Sequence, residues 1–315
     1  MNNFFDVNFT ILKVAGIWVP SPNSSYRAKF LYFVYNSFWI TYSCLIFCPS
    51  ELAYFINTYT SLKDLIKNVN MGMTHFLANI KVCMWFYYRK DIIGIIETLD
   101  IYGKRYESYG DFDNEKIVQK EKKFKDKFSV IFLLFGMLTS ISSCMACFYQ
   151  TLKLKLQEDE RVQLSLPYFS YIPFDYEYSK VKFLIAIWYQ FFPLFNYAYL
   201  IIGFDTLYIA ILSYISAQLD IIYGAFETIR PRCMIRLKLD LPKNILKDPP
   251  MLMKEMHKEI NKITYHLQVI LDICRRLEDI YSTIILAQVL ISLIVLCTCI
   301  FLVSLMNQNK YCSYR

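Results

Sequence analysis

Five stretches of the chain lose almost all of their charged residues, and polar segments of different character separate them. The last is the clearest. Residues 281–306 are 26 positions without Asp, Glu, Lys, Arg or His, enough for a tilted helix to cross a hydrocarbon core of ~30 Å. This run grows out of residues 262–280, where Asp272, Arg275, Arg276, Glu278 and Asp279 alternate with Ile, Leu and Val. No proline separates the two parts, so the pattern predicts one continuous helix with a polar stem and an apolar end.

The other runs follow the same logic. Residues 30–49 are uncharged and rich in Phe, Tyr and Trp, and form an expected span one that ends at Pro49. After a short loop at 51–67, residues 69–88 form span two. It closes on Trp85, Tyr87 and Tyr88 followed by Arg89 and Lys90, the aromatic belt and cations of a membrane interface. Residues 89–127 are polar and basic, with an amphipathic stretch at 92–102 that predicts a helix. Span three is 128–149. Residues 150–181 form a long loop with Glu158, Asp159, Glu160, Pro167 and Pro173. Span four is 182–204, with Pro193 predicting a kink and helical periodicity running on to about Phe226. Residues 205–280 form a helical extension interrupted by a turn region at 230–255, which holds Pro231, Pro242, Pro249 and Pro250. Span five is 281–303, and 304–315 form a tail. The fold class is therefore an all-α, polytopic membrane helical bundle with five spans and long helix extensions.

Composition agrees: of 315 residues 56% are hydrophobic, 17% aromatic and only 19% charged, outside the range of soluble domains. The net charge of +7 reads as topology rather than as a nucleic-acid surface, because the cations sit between apolar runs. Of 34 Lys and Arg residues, 24 fall in residues 1–29, 89–127 and 223–280. The positive-inside rule places those segments, with the N-terminus, in the cytoplasm. Ordinary G-protein-coupled receptors have the opposite orientation. The sequons at Asn8 and Asn23 then face the cytoplasm and stay unmodified. The ten cysteines lie mostly in or beside apolar runs and read as small buried hydrophobes rather than a disulfide framework. From Phe183 to Phe226, Asp205 and Asp220 are the only charges and read as structural anchors near the inner boundary, while Lys81 snorkels to the inner face. Three histidines are too few for the histidine boxes of membrane desaturases. The CxxC of Cys144 and Cys147 has no second pair, and no phosphate loop or nucleophile elbow exists. Neither an enzyme, a metal nor a cofactor is expected.

Three motifs point to a family. Gly203-Phe204-Asp205-Thr206-Leu207-Tyr208 followed by Ile215-Ser216-Ala217-Gln218-Leu219 resembles the inner half of the fourth helix of insect odorant receptors. Tyr265-His266-Leu267, Leu277-Glu278-Asp279-Ile280-Tyr281 and Gln288-Val289-Leu290 resemble the stem and start of their fifth span, and Leu296-Cys297 their Leu-Cys pair. The resemblance implies a seven-helix subunit of an odorant-gated, non-selective cation channel. It would lie in the plasma membrane of olfactory sensory neurons, assembled as a tetramer with a shared co-receptor subunit. Its implied partners are that co-receptor, membrane lipid and a small, volatile, apolar ligand, with no nucleic acid. In the family the ligand cavity lies in the outer leaflet. That position selects Met73, Phe76 and Ile80 in span two, Ser140, Cys144 and Phe148 in span three, and Trp188 and Phe192 in span four. Each also reads as ordinary helix packing. Asp205, Gln218, His266 and Glu278 fall in the implied subunit-anchor region.

The chain stops 13 residues after Leu302, short of a sixth and seventh span, so the resemblance also implies a C-terminal truncation and a non-conducting chain. A gustatory receptor relative and a non-conducting membrane partner of channel subunits are the alternatives. No second half repeats the first, which argues against a transporter.

Overall fold

The computed structural model describes residues 3–18, 24–57, 62–102, 106–156, 166, 170–176, 179–239 and 248–313. A short 3-10 turn at Asn3–Phe5 leads into α1 (Asp6–Val14). There follow α2 (Tyr26–Ile40), a π-helical segment (Thr41–Phe47), α3 (Cys48–Asn57), α4 (Leu62–Tyr102), α5 (Asn114–Leu156), α6 (Lys180–Glu227), α7 (Ile229–Arg236) and α8 (Pro250–Ser313). Among the described residues there is no strand, only an isolated bridge between Tyr109 and Phe112. The protein is an all-α membrane bundle.

Local sequence sets the helix ends. Ser25 caps α2, its hydroxyl accepting from the Ala28 N–H at 3.3 Å. Asp113 caps α5 by accepting from Glu115 N–H at 2.9 Å. Pro250 opens α8, where its missing N–H costs nothing. Gly16, at φ +79°, ends α1 in a conformation that favours glycine. The stem and the last apolar run are one helix, α8, as the proline-free sequence predicts.

Several boundaries differ from the sequence reading. Pro49 does not end the first helical run. The π segment shifts the hydrogen-bond register, Cys48 N–H donating to Ser43 O, just before the residue that cannot donate, and the helix continues to Asn57. Residues 51–57 and 62–67 are therefore helical, and 58–61 lie outside the described residues. The polar stretch 89–127 is mostly the end of α4 and the start of α5. Much of 150–181 lies outside the described residues. The turn region 230–255 contains α7, with Pro231 in its first turn, and the start of α8.

Among the described residues, four helical runs are long and apolar enough to cross a membrane: Tyr26–Asn57, Asn114–Tyr149, Lys180–Glu227 and Pro250–Ser304. The apolar window of α6 is 67% buried, against 11%, 17% and 11% for the others. Thus α6 is packed round by protein, and the other three turn large apolar side chains outward as lipid-facing helices do. Residues 69–88 lie inside α4, which is not among the four. Asn70, His75, Asn79 and Lys81 interrupt its apolarity.

The chain divides into two compact units. The first comprises Met1–Val7, Tyr87–Ser129 and Thr206–Ser282. Here Phe4 and Phe5 pack on Tyr214 with ring centroids 4.5 and 5.8 Å away. Lys125 is fully buried, 5.0 Å from the Phe4 ring and 2.6 Å from Asp126. His266 stacks on Tyr102 at 5.1 Å. The second unit comprises Asn8–Phe86, Val130–Asp205 and Thr283–Arg315. In it Phe9 stacks on Trp18 at 3.9 Å, Trp18 reaches Trp85 at 5.2 Å, and Trp85 meets Phe204 at 6.1 Å. Gly203 permits α1 to approach α6, because a Cβ there would lie 2.7 Å from Leu12 Cδ2.

Asn8 is fully buried within α1, so its sequon is closed to modification in the fold. Asn23 lies outside the described residues. Glycosidase treatment of protein made in eukaryotic cells is expected to leave its gel mobility unchanged. A shift that disappears in Asn8→Gln would contradict this packing.

Candidate functional site

A cavity of about 390 Å³ opens in the second unit, within the range of small-molecule sites. Three helices line it, each through one face. From α4 come Met71, Thr74 and His75, spaced by three and four. From α5 come Phe132, Phe135, Gly136, Thr139, Ser140 and Ser143. From α6 come Leu194, Tyr197, Ala198, Ile201 and Ile202. The spacing is that of a single helical stripe on each element. The wall is mainly aliphatic and aromatic, with hydroxyls and one imidazole interspersed.

The polar groups are held by specific partners. His75 Nδ1 lies 2.8 and 2.9 Å from the two Glu51 carboxylate oxygens, and both side chains are buried. The imidazole stacks on Tyr197 at 4.2 Å with a 13° interplanar angle, and Phe47 meets it edge-on at 6.0 Å. Tyr197 in turn donates to the Ser43 carbonyl at 2.6 Å, and Asn196 donates to Ser43 Oγ at 2.9 Å. The π segment thus carries the residues that fix this part of α6.

Pro193 lies inside α6 and leaves the carbonyl of Tyr189, four residues earlier, without its helical donor. The Tyr42 hydroxyl donates to that carbonyl at 2.7 Å. Supplying a side-chain donor to a backbone group freed by proline is what an apolar surrounding demands. Elsewhere in the unit, Lys81 Nζ sits 2.5 Å from Asp205 Oδ1, with side-chain exposures of 2% and 20%. Asn70 bonds Thr298, and its amide nitrogen lies 3.5 Å from Cys299 Sγ, tying α4 to α8.

Of the eight positions selected from sequence, Ser140 lines the cavity. Cys144 is buried one turn further along α5. Met73 and Ile80 are half-buried on α4, and Phe76, Phe148, Trp188 and Phe192 are about half exposed. Trp188 and Phe192 stack on each other at 5.3 Å. The cavity draws on the same three helices, and of the eight positions its lining includes Ser140 alone. Among the four anchor positions, Asp205 pairs with Lys81 inside the second unit. In the first unit Gln218 and His266 are buried within the chain, and Glu278 is exposed. Sequence reading missed Glu51, His75, Thr74 and Tyr197. The available signal was that Glu51 and His75 are ionisable residues flanking or interrupting apolar runs, where such groups need partners. Among the described residues, no group of three His, Cys, Asp or Glu side chains converges as a metal site would require.

Comparison with known proteins now bears on this arrangement. The sequence model described as "7tm Odorant receptor" matches residues 61–314. Among solved structures, the insect olfactory receptor OR5 from Machilis hrabei is similar with a TM-score of 0.59 at 13% identity, covering 94% of this chain and 69% of that one. The same receptor in complex with eugenol gives a TM-score of 0.57 at 13% identity, covering 94% and 71%. At this identity the likeness is one of fold. No curated protein sequence matches the chain.

Proposed function

The chain belongs to the odorant receptor family, and from that premise we propose that it is an odorant-binding subunit of a ligand-gated, non-selective cation channel. Its ligand is a small, volatile, largely apolar molecule, and its partner is a shared co-receptor subunit in the plasma membrane of olfactory sensory neurons. The observation that carries the reading is the apolar cavity of about 390 Å³ lined by α4, α5 and α6. Its volume suits a ligand of odorant size, and the related receptor from Machilis hrabei was solved with the small molecule eugenol.

Orientation follows from charge. The excess of Lys and Arg in residues 1–29, 89–127 and 223–280 supports a cytoplasmic N-terminus. In this reading residues 69–88 of α4 also cross the membrane. Their polar groups are buried against protein partners, Lys81 on Asp205 and His75 on Glu51, rather than turned to lipid. The family match favours the odorant receptor over the gustatory alternative.

The test is electrical. Cells making this chain together with the co-receptor subunit are expected to give odorant-evoked inward currents that cells making the co-receptor alone do not give. Ligand binding to the purified chain without any such current would replace the channel reading with that of a non-conducting membrane partner. Absence of both binding and current would remove the receptor reading itself.

A further inference from the structure

Where α5 enters its apolar run it carries positive charge that the surrounding fold does not neutralise. Residues 116–127 hold six lysines against two acids, Glu121 and Asp126. Lys125 is buried and lies 2.6 Å from Asp126. Lys116, Lys120, Lys123 and Lys127, spaced by four, three and four, are all exposed. At 3.6 residues per turn they form one stripe within a sector of about 60°, and Lys122 lies off it. Among the described residues, only Lys116 of these four meets an acid, Asp113 at 3.8 Å. The register of α5 carries the stripe on into the apolar run. Leu134, Leu138, Ile141 and Met145 continue it, and each is exposed. The face that bears the lysines is therefore the face that α5 turns to lipid. The stem of α8 makes the same passage into an apolar run without such an excess. Residues 250–280 hold five Lys and Arg against five Asp and Glu, and Glu255 and Glu259 meet Lys258 and Lys262 at 3.2 and 4.0 Å.

We propose that this stripe is a binding site for an anionic phospholipid with a polyphosphorylated headgroup, a phosphoinositide. A run of cations directly beside a span attracts anionic lipid, and the spacing of these lysines selects the kind. A rise of ~1.5 Å per residue sets Lys123 about 6 Å and Lys120 about 10 Å along the axis from Lys127. The headgroup layer of one leaflet is only ~5–7 Å deep. A lipid with one phosphate, such as phosphatidylserine, presents it at a single level and meets the lowest lysines. Phosphates on an inositol ring stand out beyond the glycerol phosphate and reach all three levels. The acyl chains then lie along Leu134 and Leu138 on the same face, so one lipid matches both halves of the stripe. The proposal makes no use of the cavity. It needs α5 to cross the membrane, and the orientation read from charge puts the stripe at the inner leaflet, where anionic lipids reside.

The test titrates the purified full chain, in neutral detergent, with a phosphatidylinositol bisphosphate and separately with phosphatidylserine of the same acyl chains. Native mass spectrometry would count the bound lipid. In detergent the result does not depend on orientation, and odorant binding plays no part in it, so the proposal and the receptor reading fail separately. The bisphosphate is expected to bind about tenfold tighter than phosphatidylserine. Lys120→Gln, Lys123→Gln and Lys127→Gln should each weaken it about fivefold, and the three together about hundredfold, the scale of basic side chains at an anionic surface. Their side chains are exposed, so unfolding midpoints without lipid should match that of the unaltered chain, and each single variant is read beside the triple one. Lys122→Gln removes the same charge off the stripe and should keep the affinity of the unaltered chain. Equal affinity for the two lipids overturns the proposal. So does a loss in Lys122→Gln as large as that in Lys123→Gln, which would make the attraction one of bulk charge. Equally tight binding of the soluble headgroup, inositol trisphosphate, would overturn it as well, since the site would then hold free phosphates rather than a lipid.

Discussion

Asp205→Leu is expected to destabilise the protein by about 3–5 kcal/mol, the usual cost of orphaning one member of a buried ion pair. Lys81→Met should cost less. The asymmetry comes from where each partner sits. Lys81 is 2% exposed and Asp205 is 20% exposed. Removing the acid leaves an ammonium walled in by protein, whereas removing the lysine leaves a carboxylate that can reach water or take up a proton. The pair joins α4 to α6 next to the contact of Trp85 with Phe204, so a vacated charge disturbs apolar packing as well. Replacing both together, Lys81→Met with Asp205→Leu, should recover most of the loss, since a buried pair exchanged for apolar groups of similar volume is often neutral. Thermal unfolding of the purified chain in detergent would rank the variants. Single variants as stable as the unaltered chain, or a double variant no better than Asp205→Leu, would show that the pair is not a packed contact.

That pair also marks the limit of what the sequence discloses. Each apolar run becomes helix, and the helix through residues 262–302 has no break because nothing in it can break a helix. The end of α6 at Glu227 lies one residue from the expected Phe226. Pro49 was the misleading signal, whereas the helix runs on through Pro193 as its sequence predicts. Pro49 and Pro193 both sit inside continuous helical runs, because the π segment absorbs the first and the Tyr42 hydroxyl serves the carbonyl freed by the second. The second compensation is not local to its proline, since Tyr42 lies 147 residues from Tyr189. The cavity was legible only to the level of the helix. A span such as α6 is apolar on every side, so hydrophobicity does not separate the face turned to lipid from those turned to protein or to a cavity. Ser140 falls on the cavity wall, whereas Trp188 and Phe192 are about half exposed, since aromatic residues serve both surfaces equally well. Lys81 read as a snorkelling cation because its partner lies 124 residues away. Such a pairing is a property of the bundle and has no signature in either segment alone.

In the first unit, Arg232→Met is expected to cost about 3 kcal/mol, and Arg232→Lys to recover less than half of that. Arg232 is 2% exposed. Its guanidinium donates to the Ala225 carbonyl at 2.6 Å, to Thr228 Oγ1 at 3.1 Å and to Glu259 at 3.4 Å. It also lies 5.6 and 5.8 Å from the rings of Tyr106 and Phe112. Only a planar fork reaches three acceptors in different directions beside two aromatic rings; an ammonium keeps the charge and loses the geometry. Methionine fills the volume but leaves the Ala225 carbonyl without this donor. Glu259 is not orphaned, because Arg236 bonds it at 2.9 Å, which keeps the cost below that of a fully broken pair. The same network gives the unit an acid sensitivity with a definite sign. Burial pushes the Glu259 carboxyl up, but the Arg236 hydrogen bond and the charges of Lys262, Arg236 and Arg232 outweigh it and hold the group below 4.5. A carboxylate with a depressed folded value stabilises the fold above its unfolded value, and that contribution fades as pH falls through the folded one. With Arg232 gone, burial regains ground, so Arg232→Met should begin losing stability at a higher pH than the unaltered chain. Unfolding midpoints followed downward from neutral pH would test this, and parallel curves for the two proteins would show that Arg232 does not act on Glu259.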